Sequence, residues 1–61
     1  MTDRQRRILL LAADGHTTTE IAEQLFISLR TVKDDLLNFK IQHNLRNRTQ
    51  AVAYAIRQGW I

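Results

Sequence analysis

The sequence predicts an all-α domain of four helices, and three observations predict it. The 61 residues contain no proline and only two glycines, Gly15 and Gly59. β-branched residues are scattered and never alternate over the length of a strand. Capping signals recur just ahead of apolar residues spaced at the helical period. A chain of this length holds one domain, residues 1–61, and buries only about 60% of the surface its unfolded form exposes.

Each element carries its own start and stop. Thr2 is followed three residues later by Gln5, a capping box in which the hydroxyl takes one orphan N–H and the amide reaches back to another. The first helix is expected over about 3–14, with Ile8, Leu9, Leu11 and Ala12 toward the core and Gly15 as its left-handed stop. Thr17 and Glu20 repeat the box ahead of a short second helix, about 18–25, whose Ile21, Ala22 and Leu25 share a face. Phe26 and Ile27 lead to Ser28, a good N-cap. The third helix is expected over about 29–43, with Val32, Leu36 and Phe39 inward and Asn44 taking the left-handed stop. Asn47 and Gln50 form a third capping box for a fourth helix over about 48–58. Ala51, Val52 and Ala55 face its core side, with Ile56 at the margin. Gly59 ends this helix, and Trp60 folds back over its last turn.

The second and third helices are joined by only about three residues, so they cross steeply and both lean on the first. That is the geometry of a helix-turn-helix on a three-helix core. Periodicity alone leaves a generic small helical bundle equally open.

Composition excludes more than it identifies. With no cysteine, disulfide frameworks and thiolate zinc sites are ruled out. His16 and His43 lack the spacing of a metal pair. No nucleophile has a placed base and no phosphate loop is present, so no enzyme, cofactor, metal or small-molecule ligand is expected. The longest apolar run, Ile8 to Ala13, is far shorter than the roughly 20 residues that span a bilayer. With no signal peptide in view, the chain reads as cytoplasmic and away from the membrane. Nine basic against six acidic residues give a net +3, a mild lean toward an anionic partner.

The run Gly15-His16-Thr17-Thr18-Thr19-Glu20-Ile21-Ala22, then Leu25, then Ile27-Ser28-Leu29-Arg30-Thr31-Val32-Lys33, resembles the LuxR/FixJ-type (GerE-like) helix-turn-helix. That family ends many bacterial response regulators and quorum-sensing regulators. The pattern continues through Leu36, Asn38, Asn47-Arg48-Thr49 and Ala51-Val52, and Thr2-Asp3-Arg4-Gln5 matches the T-x-R-E opening with Gln5 for Glu. The resemblance covers the whole chain. Three departures stand out. Asp35 replaces a usual histidine, Gln42-His43-Asn44-Leu45 replaces K-L-G-V, and Thr19 replaces a frequent lysine.

The resemblance implies a sequence-specific DNA-binding domain of a bacterial transcription regulator, with the third helix in the major groove. It places Lys33, Asp34 and Leu37 against base edges, and Arg30 shares their face with Ile41. Lys33 can donate to guanine O6 or N7, Asp34 can accept from cytosine N4, and Leu37 can pack on a thymine methyl. A pair between Asp34 and Arg30 is equally natural. Phosphate contacts are expected from Thr17, Thr18 and Thr19 at a helix N-terminus, from Thr31, and from Arg46 and Arg48. Asp35 reads as solvent-facing or Arg-paired, and Arg4, Arg6 and Arg7 as a solvated face. The partners implied are double-stranded DNA, RNA polymerase, and a second copy bound weakly through Gln50, Ala53, Tyr54 and Arg57 of the fourth helix. The alternative is a receiver-less interaction module that pairs with and inhibits a related full-length regulator.

Overall fold

A computed structural model describes residues 1–61 as four helices and no strand: α1 (Asp3–Ala13), α2 (Thr18–Leu25), α3 (Leu29–Gln42) and α4 (Arg48–Arg57). α1 and α3 each pack on all the other helices, whereas α2 and α4 do not pack on each other. α2, its turn and α3 form the helix-turn-helix, and α1 closes the three-helix core.

The helix starts follow the expected chemistry with one exception. Thr2 Oγ1 accepts from the Gln5 N–H at 3.1 Å, and Gln5 Oε1 accepts from the Thr2 N–H at 3.1 Å. Thr17 and Glu20 form the same reciprocal pair at 3.1 and 2.8 Å. Ser28 caps α3 by accepting from the Thr31 N–H at 3.0 Å. The expected third box at Asn47 is only half made. Asn47 accepts from the Gln50 N–H at 2.9 Å, but Gln50 Oε1 takes the N–H of Arg46 at 2.7 Å instead. The reason is local: Asn47 is far more extended, φ −151°, than Thr2 at −80° or Thr17 at −73°, which re-aims its N–H.

All four helices end in the same hydrogen-bonded reversal, in which an N–H beyond the end reaches back five residues. The pairs are His16 to Leu11, Ile27 to Ala22, Leu45 to Lys40 and Trp60 to Ala55, at 2.8–3.1 Å. This reversal needs a left-handed residue. Gly15 (φ 89°), Asn44 (φ 56°) and Gly59 (φ 74°) supply it, as the sequence suggested, and Phe26 (φ 56°) supplies it for α2. A bulky residue is costly there. Phe26 is 95% exposed, so its ring returns little packing for that cost. Phe26→Gly is therefore expected to raise stability by up to about 1 kcal/mol. A thermal melt checks it.

The core is Ile8, Leu9 and Ala12 of α1, Ile21 and Ala22 of α2, Val32, Leu36 and Phe39 of α3, and Ala51 and Ala55 of α4. Leu11, Leu25 and Val52 pack around it half-buried. Ile56 does not join it and is 54% exposed. An aromatic cluster around Phe39 completes the core on the side of α3. Phe39 holds His43, Tyr54 and Trp60 at centroid distances of 4.6, 6.3 and 6.2 Å. Trp60 does fold back, and Arg6 Nε donates to its carbonyl oxygen at 3.2 Å.

Asp35 is the one buried charged residue, 8% exposed, and is Arg-paired where a solvent-facing side chain was the other expectation. Its position lies three residues after Val32 and four before Phe39, on the inward stripe of α3. Arg4 meets it with a fork: Nε to Oδ2 at 2.6 Å and Nη2 to Oδ1 at 3.0 Å. This bidentate bond raises the Arg4 pKa above its ordinary value, through the hydrogen bond first and the opposite charge second. Arg4 thus leaves the solvated basic run, while Arg7 pairs with Asp3 at 3.1 Å.

Candidate nucleic-acid interface

α3 buries one stripe and presents the other. Val32, Asp35, Leu36 and Phe39 face inward, so Arg30, Lys33, Asp34, Leu37 and Ile41 are all exposed on the outward side. The structure brings these five together, as helical spacing requires. Lys33 has no ion-pair partner, whereas Arg30 Nε stands 3.7 Å from Asp34 Oδ2. Leu37 and Ile41 extend the same face as an apolar end beyond the charged one.

The expected phosphate ligands divide into free and committed groups. Thr17 is spent as the α2 cap, both through its hydroxyl and through its N–H. The Thr17 N–H bonded to Glu20 holds that carboxyl below its ordinary range, against a smaller upward push from desolvation. The Thr17 hydroxyl and His16 add to the lowering. Thr19 is exposed and Thr18 half-buried at the same helix start. Thr31 shares its hydroxyl with Ser28 Oγ at 2.8 Å. Arg46 is exposed and unpaired. Arg48 is half-buried, and its guanidinium donates to the His16 carbonyl oxygen, fastening α4 to the α1–α2 turn.

α4 carries the four residues expected to pair two copies. Gln50, Ala53 and Arg57 are exposed, but Tyr54 is half-buried against His43, Phe39 and Trp60. The neighbouring stripe, one residue away, has Thr49, Ala53 and Ile56 exposed and Val52 half-buried between them. With Ala12 and Ala13 of α1 and Arg48 it lines a shallow groove of about 320 Å³. The i, i+3, i+4, i+7 spacing of 49, 52, 53 and 56 was available in the sequence. Choosing between the two stripes required knowing which side the aromatic cluster occupies.

No helix is long and apolar enough to cross a membrane, and no group of metal-ligating side chains occurs.

Comparison with known proteins agrees with this geometry. Residues 1–55 match the family described as bacterial regulatory proteins, luxR family. The transcriptional regulatory protein DegU of Brevibacillus brevis is 39% identical over 61 residues, which is all of this chain and 26% of DegU. LiaR of Bacillus subtilis (strain 168) is 44% identical over 57 residues, 93% of this chain and 27% of LiaR. The response regulator VraR of Staphylococcus aureus (strain NCTC 8325 / PS 47) is 39% identical over the whole chain, 29% of VraR. The chain thus spans little more than a quarter of the length of these relatives. The solved structure of the transcription factor GerE superposes with a TM-score of 0.95 at 32% identity, covering 98% of this chain and 90% of that one. With the same four helices in the same order, and the family's motif on α2 and α3, the chain belongs to the luxR family of bacterial regulatory proteins as a helix-turn-helix DNA-binding domain.

Proposed function

We propose that this domain binds double-stranded DNA sequence-specifically, with α3 in the major groove. The carrying observation is the outward face of α3, which packs against nothing and combines cations with exposed aliphatic side chains. Arg30, Lys33 and Leu37 are its base-edge residues. Thr18 and Thr19 at the start of α2, Thr31, Arg46 and the outer edge of Arg48 hold phosphates on either side. A salt titration on a mixed-sequence duplex tests this. The logarithm of affinity should fall linearly with the logarithm of salt, by about 0.9 for each phosphate held. No salt-dependent binding would favour the inhibitory interaction module instead.

The domain is proposed to bind as a pair, through the stripe Thr49, Val52, Ala53 and Ile56. Ala53 within the stripe leaves room for close helix approach. The stripe and its groove are too small to bury the roughly 800 Å² per partner of a standard interface, so the pair forms on DNA. The site is then an inverted repeat with half-site centres about 10 bp apart or a multiple of that. Ile56→Glu should place like charges across the axis. It is expected to abolish cooperativity on a full site while half-site affinity stays nearly the same, as footprinting would read. Tyr54→Glu is the poorer probe, because it breaks the aromatic cluster.

A further inference from the structure

α3 presents a carboxylate on the face proposed to meet DNA. Asp34 is the one acidic residue there, set among Arg30, Lys33 and Leu37, and its side chain is 58% exposed. An anion in that place repels phosphates and weakens binding to every sequence alike. Helix stability does not account for it. Aspartate is a weak helix former. Arg30 precedes Asp34 by four residues, the less favourable order for a helical ion pair. The Asp3–Arg7 pair on α1 has the better order. Both partners on α3 are also exposed, Arg30 at 90%, where such pairs contribute little.

The contact itself suggests another role. Asp34 Oδ2 approaches Nε, the inner nitrogen of the Arg30 guanidinium, at 3.7 Å. At that distance the two form an ion pair without a hydrogen bond; closed onto Nε in the groove, the carboxylate would restrain the last torsions of the side chain and leave the outer N–H groups free. Those groups form the fork that reads guanine O6 and N7 together. A free arginine must lose its rotamer freedom when it makes that fork, and a restrained one has less to lose. In the groove, with water displaced, the Arg30–Asp34 attraction also strengthens.

We infer that Asp34 is a positioning residue for Arg30, holding it for bidentate recognition of a guanine at the expense of overall affinity. The inference rests on the assignment of α3 as the DNA-reading helix. It requires two effects of opposite sign when Asp34 is removed. Affinity for random DNA rises, because a repulsive charge is gone. Discrimination at one guanine falls, because Arg30 is no longer held.

The experiment starts from a randomised duplex pool enriched by the wild-type chain. Binding is then measured on the enriched duplex, on a random duplex, and on enriched duplexes in which each guanine in turn is replaced by the deaza analogue lacking N7. Arg30→Ala, Asp34→Ala and the double variant are compared, with circular dichroism confirming the fold. In the wild type, one replacement is expected to cost about tenfold. Arg30→Ala and the double variant lose that penalty. Asp34→Ala loses most of it, down to about twofold, and binds the random duplex more tightly. A full penalty retained in Asp34→Ala overturns the positioning role while leaving α3 as the reader. A penalty retained in Arg30→Ala overturns the assignment of Arg30 to guanine, and the inference with it. If the wild type enriches no sequence, the reading of α3 and the inference fall together.

Discussion

Phe39→Ala is expected to leave the domain largely unfolded. Phe39 is 1% exposed and is the ring on which His43, Tyr54 and Trp60 converge. Truncating a buried phenylalanine costs about 3–5 kcal/mol. At roughly 0.05–0.15 kcal/mol per residue, a domain of this size holds only about 3–9 kcal/mol in total. The aromatic contacts add to the loss, because Trp60 and Tyr54 then face a cavity and the turn after α4 loses its anchor. Leu36→Ala should follow at about 2–5 kcal/mol. A circular dichroism melt reads both. Phe39→Ala is expected to show no cooperative transition, or one at far lower temperature. A near-wild-type melt would remove Phe39 from the centre of the core.

Lys33→Ala is expected to cause the largest loss of DNA affinity that leaves the fold intact. Lys33 is exposed and unpaired at the centre of the outward face of α3, so its removal disturbs no packing. Its mode of contact decides the form of the loss. If it holds a phosphate, binding to all sequences weakens and the salt slope falls by about 0.9. If it reads a base, the loss is about 1–3 kcal/mol and is confined to the preferred sequence. Titrations of both duplex types at several salt concentrations separate the two. Equal affinity of wild type and Lys33→Ala on both would exclude the centre of α3 from the interface.

Much of the fold was legible because its signals are local. A cap and its partner lie three residues apart, and a core stripe repeats at 3.6 residues, so Thr2, Thr17, Ser28, Ile8, Leu9, Val32, Leu36 and Phe39 declare themselves in short windows. The outward stripe of α3 is legible as the complement of its buried one. The rest depends on contacts between distant residues. Arg4 and Asp35 stand 31 positions apart, and nothing near Asp35 says that a guanidinium will cover it. Gln50 lies within reach of two N–H groups, and the extended backbone of Asn47 gives it to Arg46. Tyr54 and Ile56 are both apolar enough to face either way. The cluster around Phe39 draws Tyr54 inward and leaves Ile56 out, which moves the candidate pairing stripe by one residue. The αL conformation of Phe26 could be inferred only from the shortness of the turn.

The outward face of α3 is proposed as the surface that meets DNA. Amide and methyl resonances of the isotopically labelled domain, followed as an enriched duplex is added, decide it. Arg30, Lys33, Leu37 and Ile41 are expected to shift together with Thr18 and Thr19 at the start of α2. Buried Ile8, Leu9 and Ile21 should stay in place. Shifts confined to α4 and the adjoining end of α1, with α3 unmoved, would contradict it.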